Sequence, residues 1–202
     1  GIYQKTNARY GGLFASVDGI TIKNLEIIDS YFESTTTGIA DFGGLVGLAK
    51  TTKIDTVYSD AIVVGAGQAV SGMVGKVYSG SQMTNCWFAG SVTNTKTTDM
   101  RTGGLIGTVT DKADNSISNC LNTGTINASK ATGTGVLVGG LVGHVASSGS
   151  LTMNYCLNTG KVTYNAAASS YGSVLGGGST GVKVTNVYAT TGSCATQIGG
   201  TV

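Results

Sequence analysis

Four cysteines, one histidine and ten acidic side chains are the residues in this chain of 202 best able to do chemistry. Cys86, Cys120 and Cys156 recur at intervals of 34 and 36 residues. Thiols at a repeating position are either a metal or disulfide framework or a row of small apolar side chains. No Cys-x-x-Cys and no Cys/His grouping accompanies them, so zinc has no support. The matching positions of other copies hold Leu25, Val57 and Val187, so the site selects a small apolar group, and a buried, reduced thiol ladder is expected. An oxidised pair or a metal site is the competing reading; in-register Cβ atoms on neighbouring strands sit farther apart than a relaxed disulfide prefers. Cys194 falls outside this register and is read as a free thiol.

His144 follows the last glycine of Gly139-Gly140-Leu141-Val142-Gly143, where other copies carry Ser16, Leu48, Lys76 and Thr108. A position that accepts such different residues is expected to face solvent. It has no second histidine and no acidic neighbour in sequence, and no Gly-x-Ser-x-Gly elbow is present. Carboxylates are the serious enzymatic candidates, since glycan-cleaving β-helices need two or three that converge, or Asp clusters holding calcium. Asp29 and Asp60 are the nearest pair by register. Asp55 falls opposite the stretch from Lys23 to Ile28, and the copy from Met83 to Phe88 adds no acid there. Asp111, Asp114 and Asn115 form an acidic corner that reads as a cation site or, more simply, as a solvated loop. The expectation is therefore no catalytic, cofactor-binding or metal residue. Thr123, Thr125 and Thr159 begin a threonine row that Lys161 breaks, and Asn127-Ala128-Ser129 is a glycosylation sequon.

These residues are placed by a repeat. Gly43-Gly44-Leu45-Val46-Gly47 and Gly139-Gly140-Leu141-Val142-Gly143 are identical, and Gly103-Gly104-Leu105-Ile106-Gly107 differs by one methylene group. Looser copies start at Gly11, Ser71 and Gly172, giving intervals of 32, 28, 32, 36 and 33 residues. Such a period marks a solenoid, because one turn cannot bury its apolar side without neighbours. A second phrase follows each first one, as in Ile22-Lys23-Asn24-Leu25 and Ile117-Ser118-Asn119-Cys120, and a third follows that, as in Thr123-Gly124-Thr125-Ile126. The expected fold is all-β, one parallel β-solenoid over residues 1–202, with about six rungs starting near 11, 43, 71, 103, 139 and 172. Each rung reads as three short strands. The Gly pair supplies a bend, after which Leu is expected to point one way and Val the other. Leu13, Leu45, Met73, Leu105 and Leu141 form one core ladder, continued by Val174 or Leu175.

Composition agrees with this. Thirty-three glycines, no proline and 11% charged residues suit stacked strands with hydroxyl-rich outer faces rather than a disordered linker. Net charge of +2 gives no basic patch for nucleic acid. No apolar run is long enough for a membrane helix, and the start does not resemble a signal peptide. Asp18, Glu26, Asp29, Glu33, Asp41, Asp55 and Asp60 crowd the first sixty residues, and no acid follows Asp114. The ends carry no cap, which suggests a piece of something longer or a unit whose ends are covered by others.

The Gly-Gly-Leu-Val-Gly phrase, the Ile-x-Asn-Cys phrase and the Thr-Gly-x-Val phrase together resemble the GLUG repeat of bacterial surface and adhesin-like proteins, from Gly11 to about Thr190. The resemblance implies a right-handed β-solenoid and says little about ligand. The expected function is a non-enzymatic, extracellular or cell-surface structural or adhesive segment, a repeating unit of a filament or fibre. Its ends would meet its own copies or the rest of a longer chain, and its variable corners a glycan or a host or matrix protein. No nucleic acid and no membrane insertion are expected. The alternative is a polysaccharide-active β-helix enzyme, a lyase or glycoside hydrolase, which would require carboxylates converging in a groove.

Overall fold

Each Gly-Gly-Leu-Val-Gly phrase closes one strand and opens the next, and this corner sets the architecture. The computed structural model describes residues 1–165, 170–178 and 180–190. Among these there is no helix, and every strand pairing is parallel. A rung passes through four sheets, here called the first to fourth faces in chain order from the Gly pair's leading strand. In the second rung these are Asp41–Gly43, Val46–Lys50, Lys53–Ser59 and Ile62–Gly65. The count per rung is therefore four faces, where the phrases predict three strands. The additional face, immediately before the Gly pair, has no phrase of its own.

The glycines are required by contact. A Cβ at Gly44 would lie on the carbonyl oxygen of Gly72, one at Gly72 on that of Gly104, and one at Gly104 on that of Gly140. Backbone pairing continues through this bend: Gly44 N donates to Gly72 O at 3.1 Å, Gly104 N to Gly140 O at 3.2 Å and Leu105 N to Leu141 O at 2.9 Å. Side chains there would force the rungs apart and break these bonds. In the first rung only, Gly12 lies at φ 143° and the bend is one residue shorter, so Gly11 pairs with Phe42 rather than Gly43 while Phe14 still pairs with Val46.

The third face bends again at one residue per rung. Asn24, Thr56, Asn85, Asn119, Tyr155 and Asn186 all lie between φ 51° and 55°, in the left-handed region that Asn tolerates best after glycine. This explains the recurrent Asn of the second phrase. On either side of it, Ile22, Ile54, Met83, Ile117 and Met153 point inward, as do Val57, Cys86, Cys120 and Cys156.

The core is a column of such ladders. Leu45, Met73, Leu105 and Leu141 are fully buried, and Val174 extends the row, its carbonyl accepting from Leu141 N at 3.0 Å. Val46, Val74, Ile106, Val142 and Leu175 are also buried and paired in register. Leu and Val thus both point inward, contrary to the alternation expected from the phrase, because the corner between them turns the strand through the interior. Leu13 is only partly buried and Phe14 is 39% exposed, since among the described residues their strand lies at the edge of its sheet. Leu105→Ala is expected to lose about 2–5 kcal/mol of unfolding free energy in urea, through lost burial and a cavity the rigid rungs cannot close; a loss below about 1 kcal/mol would contradict the stacked column.

Candidate functional site

The three thiols behave as apolar side chains. Cys86, Cys120 and Cys156 are buried and unbridged in consecutive rungs. Each sits against the carbonyl oxygen two residues earlier, which accepts its proton: Thr84 at 3.0 Å, Ser118 at 3.1 Å and Asn154 at 3.2 Å. The sulfur neighbours Cys156 and Cys86, together with burial, push the Cys120 thiol well above the ordinary range, while the bond to Cys120 lowers Cys86 and Cys156; burial is what all three share. Among the described residues no group of three or more His, Cys, Asp or Glu side chains is arranged to hold a metal. Cys194 lies outside the described residues.

His144 corrects the expectation of a solvent-facing residue. It is half-buried where the outer sides of the first and second faces meet, in register with Thr108, and its Nδ1 lies 3.4 Å from Thr108 Oγ1. Burial, helped by the positive charge of Arg101, lowers its pKa to about 4. Asp41 stands in the outer ladder of the first face with Ala69 and Arg101. It is buried, with Oδ2 unpartnered, and burial raises its pKa against the opposing pull of Lys76, Arg9 and Arg101. A buried acid and a neutral imidazole could form an acid–base pair. Three rungs separate them here, roughly 14 Å at ~4.8 Å per rung, so they do not.

The carboxylates singled out from sequence hold corners. Asp60 Oδ1 accepts the backbone N–H of Asp29 at 2.9 Å, where Asp29 has φ 49°. Asp55 Oδ1 accepts from Thr84 Oγ1 at 2.7 Å and Asn85 Nδ2 at 2.8 Å, and these bonds lower its pKa. Asp111 accepts from Ser79 N and from Asn115 Nδ2, and Asn115 Oδ1 in turn accepts from Gly80 N and Ser81 N at 3.1 Å. The supposed cation corner is thus a cap on backbone donors. Thr125 is in register with Ser91, which pairs with Ile62, so the threonine row does not form. Asn127 is exposed.

What sequence reasoning missed is an aromatic and acidic outer surface on the first three rungs. Glu26, Tyr58 and Trp87 stand in register on the third face, with Tyr58 and Trp87 in edge contact at 5.0 Å and 72°. Together with Asn24, Thr56 and Asn85 they line a shallow open groove of about 430 Å³. Around the next corner Asp29, Asp60, Ser30, Tyr31 and Ile62 line a second depression of about 370 Å³. Tyr3 stacks on Tyr31 at 5.4 Å. The signal was available: one position after the Cys86 register is Trp87, the only tryptophan of the chain.

Two measurements check this geometry. Native alkylation followed by peptide mass mapping is expected to leave Cys86, Cys120 and Cys156 unmodified, and labelling in denaturant to reach all three; rapid native labelling would contradict the ladder. Because His144 titrates near 4 when folded and near 6.5 when unfolded, the unfolded chain takes up the proton first on acidification. Its contribution therefore lowers stability as pH falls from about 6.5 towards 4. Asp41, raised in the folded state, acts in the opposite sense over its own range. His144→Asn is expected to reduce the loss of urea midpoint between about pH 7 and pH 5 relative to the parent; an unchanged loss would contradict the buried neutral imidazole. Compared with family models, with curated proteins and with solved structures, the chain matches none.

Proposed function

We propose that this chain is a non-enzymatic, extracellular or cell-surface solenoid of the GLUG-repeat kind, serving as a structural and adhesive segment. The observation that carries this reading is where the chemistry-bearing groups are engaged. Asp60, Asp55 and Asp111 hold backbone corners or neighbouring side chains, and Asp41 and His144 lie rungs apart. What varies from rung to rung is the outer side chains, while the inward ladders stay apolar, as suits a rod whose surface meets partners. The exposed Phe14 and Ile2 of the first rung form an apolar end that another copy, or a further rung of a longer chain, would cover, giving a filament or fibre by a repeating end-to-end contact.

A polysaccharide-active enzyme is the second reading, favoured by one observation: Asp29 and Asp60 share the same open depression. Incubating the chain with a panel of plant, bacterial and animal polysaccharides, and with immobilised glycans and matrix proteins, separates the two. The proposal expects retention on at least one surface with no release of reducing ends or unsaturated products. Turnover that Asp60→Asn abolishes would replace it with the enzymatic reading.

A further inference from the structure

We infer that the groove over Glu26, Tyr58 and Trp87 binds an uncharged oligosaccharide. This rests on the adhesive reading and names the ligand class and its place, moving it from the variable corners to the third face. A sugar ring offers an apolar side of C–H groups and a rim of hydroxyls, each both donor and acceptor. The matching surface has a flat aromatic face beside fixed amide and carboxylate groups.

The groove supplies both. Trp87 is 44% exposed, and its Nε1 donates to Thr123 Oγ1 of the next rung at 2.9 Å. That bond, with the Tyr58 edge contact, fixes the indole so that one ring face is presented without an unpaired N–H. The aromatic therefore brings little rotamer freedom to lose on binding. Beside it, the Glu26 carboxylate and the Asn24 amide are exposed, and neither makes a hydrogen bond within the described protein. Asn85 is held by Asp55 and Asn119. Asn24 and Asn85 stand on left-handed backbone at φ 54°, which sets their places on the strand bend.

Charge selects among glycans. Glu26 is the one charged side chain lining the groove; Asp55, bonded to Asn85 at its edge, is offset by Lys23 in register beside it, and Asp60 adds to the negative field at Tyr58. Phosphate, sulfate and uronate groups would be repelled, which leaves neutral sugars. Extension is also provided for, since the outward row continues from Trp87 through Leu121 and Leu157 to Tyr188. Its ~4.8 Å spacing is close to the rise of one pyranose in an extended chain.

Trp87 being the sole tryptophan, intrinsic fluorescence reads this site alone. The full chain is titrated with cellohexaose, xylohexaose, chitohexaose and mannohexaose, with hexagalacturonate as the charged counterpart, and binding is repeated by calorimetry. At least one neutral hexasaccharide is expected to shift the emission saturably, and hexagalacturonate to leave it unmoved. Trp87→Ala is expected to weaken calorimetric binding at least about tenfold, as loss of a stacking platform does, and Glu26→Gln to weaken it in a protein whose melting is unchanged. No saturable shift with any neutral sugar, or binding that survives both substitutions, overturns the site. Retention on immobilised glycans or matrix proteins that Trp87→Ala leaves intact also overturns the site while sparing the adhesive reading. A parent chain retained on no surface overturns the adhesive reading itself.

Discussion

The close approach of successive backbones at the Gly-Gly corner is the constraint on which this molecule depends. There the carbonyl of the following rung occupies the space of a Cβ, at Gly44, Gly72 and Gly104 alike, and the interstrand bonds run through the bend without a gap. With that spacing set, Leu45, Met73, Leu105 and Leu141 have no choice but to stack. The same register then carries the left-handed Asn row and the thiol row of the third face. Parallel strands paired on both sides, as in the inner rungs, need such regularity, because a slip of one residue would turn each inward ladder outward.

This explains what was legible in advance. The Leu column and the Cys86, Cys120 and Cys156 row could be read because both repeat against an identical neighbour, and an apolar ladder tolerates little else. The strand Asp41–Gly43 leaves no periodic trace, since its outer position varies among Asp41, Ala69 and Arg101 and carries no phrase. His144 differs from its expectation for a related reason: variety among Leu48, Lys76 and Thr108 reads as exposure, yet the position lies where two outer faces meet and is half-buried. The recurrent Asn was visible as a letter, and its cause appeared only with φ near 54°.

The candidate surface was hidden because it has no repeat. Glu26, Tyr58 and Trp87 share a register position but no chemistry, so a search for periodicity passes over them. The acidic crowding of the first sixty residues has no evident reason in the sequence alone. The fold gives one: it brings Glu26, Asp29, Asp55 and Asp60 to neighbouring rungs beside Tyr31, Tyr58 and Trp87. The interior of a solenoid is shared by all rungs, whereas its outer residues differ from one rung to the next.

The central claim is the steric one, and a single methyl group tests it. Gly104→Ala places a Cβ against the Gly140 carbonyl and the Asn122 side chain, in a bend closed on both sides by paired rungs. Urea unfolding followed by circular dichroism should show a loss of several kcal/mol, of order 2 or more as for other overpacked or backbone-strained sites. A variant within about 0.5 kcal/mol of the parent, the range of an ordinary surface substitution, would show that the rungs do not meet at this corner and would contradict the account.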